Sequence, residues 1–285
     1  MCPHDPSFTE ADCLYSPSHW SWDGKSPKEV IDRFIAALIT AQGRVKTMTP
    51  SVWKTVKMGE EEREAFDIYG PTTAESLLIW IHGGYWQEGS RADVAPLLEP
   101  LLAGGTTVVS IGYKLASPNR PLTALVYDVA GYIEKVLSLF PDTGRIVVGG
   151  HSAGAHLAFK ACAQLKSPRI TGLALVAGIF DLTELPETVI GSPIGLTAAD
   201  AVESSCGADE YSEGELEALV LVGECDTPRF RSQAAELHEG LRARKIKSQR
   251  VELPNEDHYS LIEGFALESK KQTKLLKKFC SIQSL

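Results

Sequence analysis

Beyond residue 52 short runs rich in Val, Ile and Leu alternate with longer stretches of helical periodicity, and this alternation constrains the chain more than any other feature. The strand-like runs are VWKTVKM, EAFDIYG, SLLIWIHG, TTVVSIGY, RIVVGGHS, ITGLALVAGIF, ALVLVGE and QRVELPN. Between the later runs lie the helical stretches ADVAPLLEPLLAG, ALVYDVAGYIEKVLSLF, AGAHLAFKACAQLK and RSQAAELHEGLRARK. Strands joined by crossover helices return parallel, so the pattern predicts an α/β fold: an eight-stranded, mostly parallel sheet with helices on both faces. The first two runs lack a crossover helix, which predicts an antiparallel N-terminal edge.

No internal repeat, low-complexity tract or Pro/Gly/Ser-rich linker divides the chain, so residues 1–285 are read as a single domain with an N-terminal helical extension over about 1–50. Within that extension Ser26 and Glu29 form a capping box and Pro27 suits the first helical position. Val30, Ile31, Phe34, Ile35, Leu38 and Ile39 follow at helical spacing, predicting a helix over 27–43. The C-terminal stretch DHYSLIEGFALESKKQTKLLKKF is read as one last helix, with its lysines on a solvated face that suits the helix dipole.

Composition narrows the function classes. A net charge of −9 argues against a nucleic-acid surface and leaves a small-molecule partner as the expectation. No apolar run is long enough to span a bilayer and MCPHDPSFTEADC lacks the pattern of a secretory signal, so a cytoplasmic protein without a membrane partner is expected. Cys2, Cys13, Cys162, Cys206, Cys225 and Cys280 lie far apart and are read as reduced thiols. Neither CxxC nor HExxH occurs, so neither a metal nor an organic cofactor is expected.

The sequence Gly150-His151-Ser152-Ala153-Gly154 matches GxSxG where the run RIVVG meets the helix AHLAFKACAQLK. A strand-to-helix turn this sharp pushes its central side chain out above the sheet edge, and its glycines avoid clashes with neighbouring backbone. Ser152 is the candidate nucleophile. Acyl transfer also needs donors for a developing oxyanion. Gly83 and Gly84, which follow SLLIWIH, together with the N–H of Ala153, are expected to supply them. His82 is assigned a loop-bracing role.

A serine needs a base to take its proton and a carboxylate to fix that base's tautomer. His4 and His19 lie in the N-terminal region, His238 lies in a helix, and His151 and His156 flank the serine too closely; His258, just past QRVELPN, remains. Asp226 after ALVLVGE suits the acid, with Glu224 as runner-up and Asp181 a further candidate, while Asp257 is too near His258 to brace its far nitrogen. Tyr85 and Trp86 directly follow the donors and are candidates to contact substrate, narrowing the acyl side and facing an anilide leaving group. Trp86 could equally pack beneath its loop.

The segments HGGYWQEGS, GHSAGAHLA, LVGECDTPRF and EDHYSLIE, with YSPSHW near residue 15, resemble those of the kynurenine formamidases, or arylformamidases, of the α/β-hydrolase fold. The likeness extends over nearly the whole chain and is weakest in residues 183–217, where a cap is looked for, and in the first dozen residues. It implies hydrolysis of N-formyl-L-kynurenine, or a related aryl formamide, to L-kynurenine and formate, with nucleophile, acid and base on Ser152, Asp226 and His258. The family's oxyanion motif falls on residues 82–86, no cofactor is implied, and the resemblance suggests a homodimer. A general small-acyl carboxylesterase is the alternative, and a catalytically silent binding protein of the same fold is a further one. Arg91, Lys114, Arg120 and Arg229 lie near motif loops, with none singled out to hold the substrate's amino-acid end.

Overall fold

In a computed structural model, residues 2–47 and 53–281 are described; Val52, the first residue of the run VWKTVKM, lies outside them. The chain opens with α1 (Glu10–Leu14) and α2 (Pro27–Thr47), then forms β1 (Trp53–Lys57), β2 (Ala65–Tyr69) and β3 (Ser76–Ile81). Next come α3 (Ala95–Ala103), β4 (Thr106–Ile111), α4 (Leu122–Leu139), β5 (Arg145–His151), α5 (Ala153–Leu165) and β6 (Gly172–Val176). The remainder is α6 (Ala198–Ser204), β7 (Glu217–Gly223), α7 (Pro228–Ala243), β8 (Lys247–Leu253), α8 (Ser260–Glu263) and α9 (Lys271–Cys280).

The eight strands form one sheet in the order β1-β2-β4-β3-β5-β6-β7-β8. β1 pairs antiparallel with β2 and β2 antiparallel with β4, while all later pairs are parallel, as the missing crossover helix predicts. Alternate residues of β3 feed two separate cores. Leu77, Ile79 and Ile81 pack with α4, α5 and α7, whereas Leu78 and Trp80 pack with α3, α8 and α9. A strand covered on both faces by helices is apolar along its middle, which is why LLIWI reads as a continuous run after Ser76.

Two readings of helices need correction. α2 begins at Pro27 behind the capping box, with Glu29 Oε2 accepting from the Ser26 N–H at 3.0 Å and from its hydroxyl at 2.6 Å, but runs on to Thr47 rather than 43. The single C-terminal helix is instead broken: α8 lasts one turn, a 3₁₀ turn covers Gly264–Ala266, and α9 starts afresh at Lys271. The buried carboxylate of Glu256 gives the reason. It accepts from Ser260 Oγ at 2.6 Å, Lys270 Nζ at 2.6 Å and Gln272 Nε2 at 3.3 Å, folding the chain back on itself in a way helical periodicity does not encode.

Among the described residues no helix is long and apolar enough to cross a membrane. Cys162, Cys206, Cys225 and Cys280 are free thiols, but Cys2 and Cys13 correct the reading of six reduced thiols: their Cα atoms lie 5.3 Å apart and their sulfurs are paired as a disulfide. Their spacing in sequence does not reveal this, because α1 turns the chain back on itself.

Candidate active site

The parallel strands deliver their C-terminal ends to one rim, and the candidate residues gather there. Ser152 sits between β5 and α5 with φ 56° and ψ −120°, a left-handed conformation that a non-glycine residue adopts only at a cost of order 1–3 kcal/mol. Its N–H donates to Val176 O at 2.9 Å, which anchors the turn to the end of β6. The flanking glycines are sterically required. A Cβ on Gly150 would lie 2.4 Å from the carbonyl of Gly154, and one on Gly154 would lie 2.1 Å from Ile81 O. The elbow is therefore wedged against the end of β3, and α5 directs its N-terminus at the serine.

From the loop after β3, Gly83 approaches the serine so closely that a Cβ on it would stand 3.2 Å from Ser152 Cβ and 2.8 Å from His151 O. Gly84 has φ 97°, and a Cβ there would meet Glu88 O at 2.5 Å. Among the described residues, none of the loop or cap hydrogen bonds uses the N–H of Gly83, Gly84 or Ala153. These amides are free to meet an anionic oxygen. Strain continues into Tyr85 and Trp86, whose φ values of 47° and 63° are unusual for aromatic residues and went unseen in the sequence.

The loop is held by side chains on both sides. Tyr85 Oη donates to Tyr15 O at 2.6 Å. Trp86 Nε1 donates to His156 Nδ1 at 3.3 Å, and His156 Nε2 in turn donates to Ser204 O at 2.7 Å. His82 Nδ1 donates to Gly83 O at 2.8 Å while its ring stacks on Tyr113 at 4.3 Å, which agrees with the bracing role read from the sequence. Burial lowers the pKa of His82 and of His156 to about 4, so both stay neutral.

Past β8, His258 Nδ1 meets Asp226 Oδ2 at 2.9 Å. Since a carboxylate only accepts, the Nδ1 carries the proton and Nε2 is left as the basic nitrogen. Asp226 is buried, and its other oxygen accepts from the Thr227 N–H at 2.7 Å. Ser152 and His258 line one cavity of about 230 Å³. The competing carboxylates are engaged elsewhere. Glu224 accepts from the Asn255 N–H at 3.1 Å, and Asp181 accepts from Thr183. Asp257 takes Arg33 and the amides of Tyr259 and Ser260.

Sequence reasoning missed the part played by His151. Its Nε2 donates to the backbone carbonyl of His258 at 3.0 Å and its ring lies 4.5 Å from that of His258. Burial and the neighbouring imidazole hold its pKa well below the usual histidine range, so it braces the position of His258 as a neutral ring. Its place beside the serine in the sequence gave no sign of this.

The rest of the cavity departs from expectation in two ways. Tyr85 lines it, but Trp86 does not: the indole is fully buried beneath the loop, which corrects its candidate role as a substrate contact. The roof is α2 rather than residues 183–217. Ile31, Phe34, Ile35 and Leu38 of its apolar stripe face the cavity, so the stripe forms a lining, not a core contact alone. Among the described residues, Glu88 and Asp93 are the acidic ones in the lining, and no Lys or Arg lines it. Arg91, Lys114, Arg120 and Arg229 pair with Asp67, Glu61, Asp128 and Glu184 respectively and do not line it.

Comparison with known proteins agrees with this geometry. A family model for the alpha/beta hydrolase fold matches residues 78–262. The kynurenine formamidase of Danio rerio is 32% identical over 284 residues, covering 95% of this chain and 96% of the fish protein. That of Salmo salar is 31% identical, covering 96% of this chain and 97% of its own length. Among solved structures, one from Silicibacter sp. superposes with a TM-score of 0.78 at 21% identity, covering 95% of this chain and 99% of that one. At that identity the structural match speaks for the fold alone.

Proposed function

The chain belongs to the kynurenine formamidase family of α/β-hydrolases, and from that premise we propose that it hydrolyses the formyl amide of N-formyl-L-kynurenine to L-kynurenine and formate. The observation that carries the reading is the Asp226–His258 hydrogen bond of 2.9 Å, with His258 and the strained Ser152 on one cavity beside the Gly83–Gly84 loop.

In the proposed mechanism His258 Nε2 takes the Ser152 hydroxyl proton as the oxygen attacks the formyl carbon. The N–H groups of Gly83, Gly84 and Ala153 receive the oxyanion, each donor contributing about 10²–10³ in kcat. Collapse breaks the C–N bond, and the imidazolium returns its proton to the departing aniline nitrogen. Water, deprotonated by the same imidazole, then releases formate from the formyl-serine. Asp226 holds the ring in the Nδ1–H tautomer and offsets its charge when protonated.

The lining suits this substrate. Phe34 and Tyr259 present apolar surface for an aryl ring, and the exposed Glu88 at the rim offers a carboxylate to an α-ammonium group. The test is steady-state turnover of N-formyl-L-kynurenine beside a p-nitrophenyl ester of a short acid. A kcat/KM at least tenfold higher for the formamide is expected; preference for the ester would favour a general carboxylesterase instead.

A further inference from the structure

A second cluster of chemically competent side chains lies outside the cavity, in the N-terminal segment that sequence spacing left without a metal motif. We propose that Cys2, His4, Cys13 and His19 form a tetrahedral Zn²⁺ site that staples residues 2–19 beside the loop carrying Asp226. One ligand atom from each residue lies within 4.8 Å of all the others. His4 Nδ1 is 3.3 Å from Cys13 Sγ, Cys2 Sγ is 3.4 Å from His19 Nδ1, and Cys2 Sγ is 3.9 Å from His4 Nδ1. With Zn–S of about 2.3 Å and Zn–N of about 2.0–2.1 Å, the S–N edges of a tetrahedron come to about 3.5 Å, close to these separations. The structure pairs the Cys2 and Cys13 sulfurs; in the reduced chain an ion between them would hold them about 3.8 Å apart, the S–S edge of the same tetrahedron.

The donor set selects the metal. Two thiolates and two imidazoles favour zinc over the oxygen-seeking cations. Once a thiol reductant has opened the Cys2–Cys13 disulfide to two thiols, binding replaces their two protons, which leave to solvent, so the occupied site is neutral. The His4 N–H already points at Cys2 Sγ at 3.4 Å and would orient that thiolate. Cys2, Cys13 and His19 are buried, whereas His4 is exposed and leaves the ion a route in.

The segment also has reason to need a staple. Over residues 2–19 its buried apolar side chains are Cys2, Cys13, Tyr15 and Pro17, too few to fix a chain whose one α-helix has five residues. What it fixes matters for the cavity. Tyr15 follows Cys13 by two residues and its carbonyl accepts the hydroxyl of Tyr85, the residue after the Gly83–Gly84 pair. His4 and His19 share a surface pocket with Asp226. The disulfide between the same two sulfurs is the competing state.

The test is elemental analysis of the full chain purified with a reductant and without chelator, which should give about one zinc per chain. His19→Ala and Cys13→Ser should each reduce this to under a tenth. Because those variants could misfold, the wild-type protein is also stripped with a chelator and titrated with Co²⁺ alone. Saturation at one equivalent, with the visible bands of a tetrahedral site and thiolate-to-cobalt charge transfer, is expected. Wild-type protein without zinc and without those cobalt bands would overturn the proposal, as would undiminished zinc in folded His19→Ala. So would an intact-mass deficit of two hydrogens showing a Cys2–Cys13 disulfide under the same reducing conditions.

Discussion

Two segments outside the strand-helix alternation reach the loop after β3, α2 from one face of the sheet and residues 183–217 from the other. Of the N-terminal segment, α2 packs on the side of α3 and α8, while Tyr15 is buried in the core on the other face. α2 roofs the cavity with Ile31, Phe34, Ile35 and Leu38, and Arg33 fastens it to Asp257 at 2.8 Å and Glu263 at 3.1 Å. Residues 183–217 come from the side of α4 and α5 and touch the back of the loop. Ile190 O accepts Gln87 Nε2 at 3.0 Å, and Ser204 O holds the His156 that in turn receives Trp86. One segment meets substrate space while the other only braces the backbone that borders it. A segment placed like a cap in sequence therefore need not be the cover, because the faces on which its apolar residues are buried decide where it goes.

This contrast separates what variants should do. The largest loss belongs to the rim, outside both segments: Ser152→Ala is expected to lower kcat by about 10⁶ while leaving the thermal midpoint within a few degrees of wild type. Residual activity near wild type would remove the serine from the scheme. Gly83→Ala places a Cβ 3.2 Å from Ser152 Cβ and 2.8 Å from His151 O, so a fall of about 10²–10³ in kcat is expected with a smaller change in KM, measured on the same substrate.

In the roof, Arg33→Ala leaves the fully buried Asp257 without its cation and should destabilise the protein by about 3 kcal/mol in urea unfolding, while raising KM as α2 loosens. An unchanged KM would mean that the roof does not depend on this ion pair. The smallest effect is expected from the brace. Val202→Ser, at a position 66% exposed on α6, should change stability by less than about 0.5 kcal/mol and leave kcat and KM alone, whereas Phe34→Ala in α2 should raise KM by about tenfold. If the two variants changed KM equally, the distinction between roof and brace would fail.

Much of the rim was legible because its chemistry is tied to local backbone geometry. GHSAG at a strand-helix junction and HGG at a strand end are steric requirements, seen as Cβ clashes at Gly150, Gly154 and Gly83, and a steric requirement restricts sequence directly. The position of Ser152, Asp226 and His258 along one rim was equally readable, since each follows a recognisable strand. The bracing ring of His151, the burial of Trp86 and the break between α8 and α9 were not. The first two depend on partners far away in the chain, His258 O for His151 and Ser204 through His156 for Trp86, while the third depends on a buried carboxylate, Glu256, that gathers side chains from both sides of the break.

By itself, then, the sequence determined the α/β alternation, the antiparallel edge, the elbow and the candidate residues along the rim. Periodicity and φ requirements are local, and they act within a few residues of where they are written. Tertiary structure alone decided that β4 lies between β2 and β3, that α2 forms the roof, and that two cysteines and two histidines from the N-terminal segment converge. Those outcomes are set by which apolar faces find each other and which buried polar groups find partners, and such pairings connect residues that no spacing rule relates.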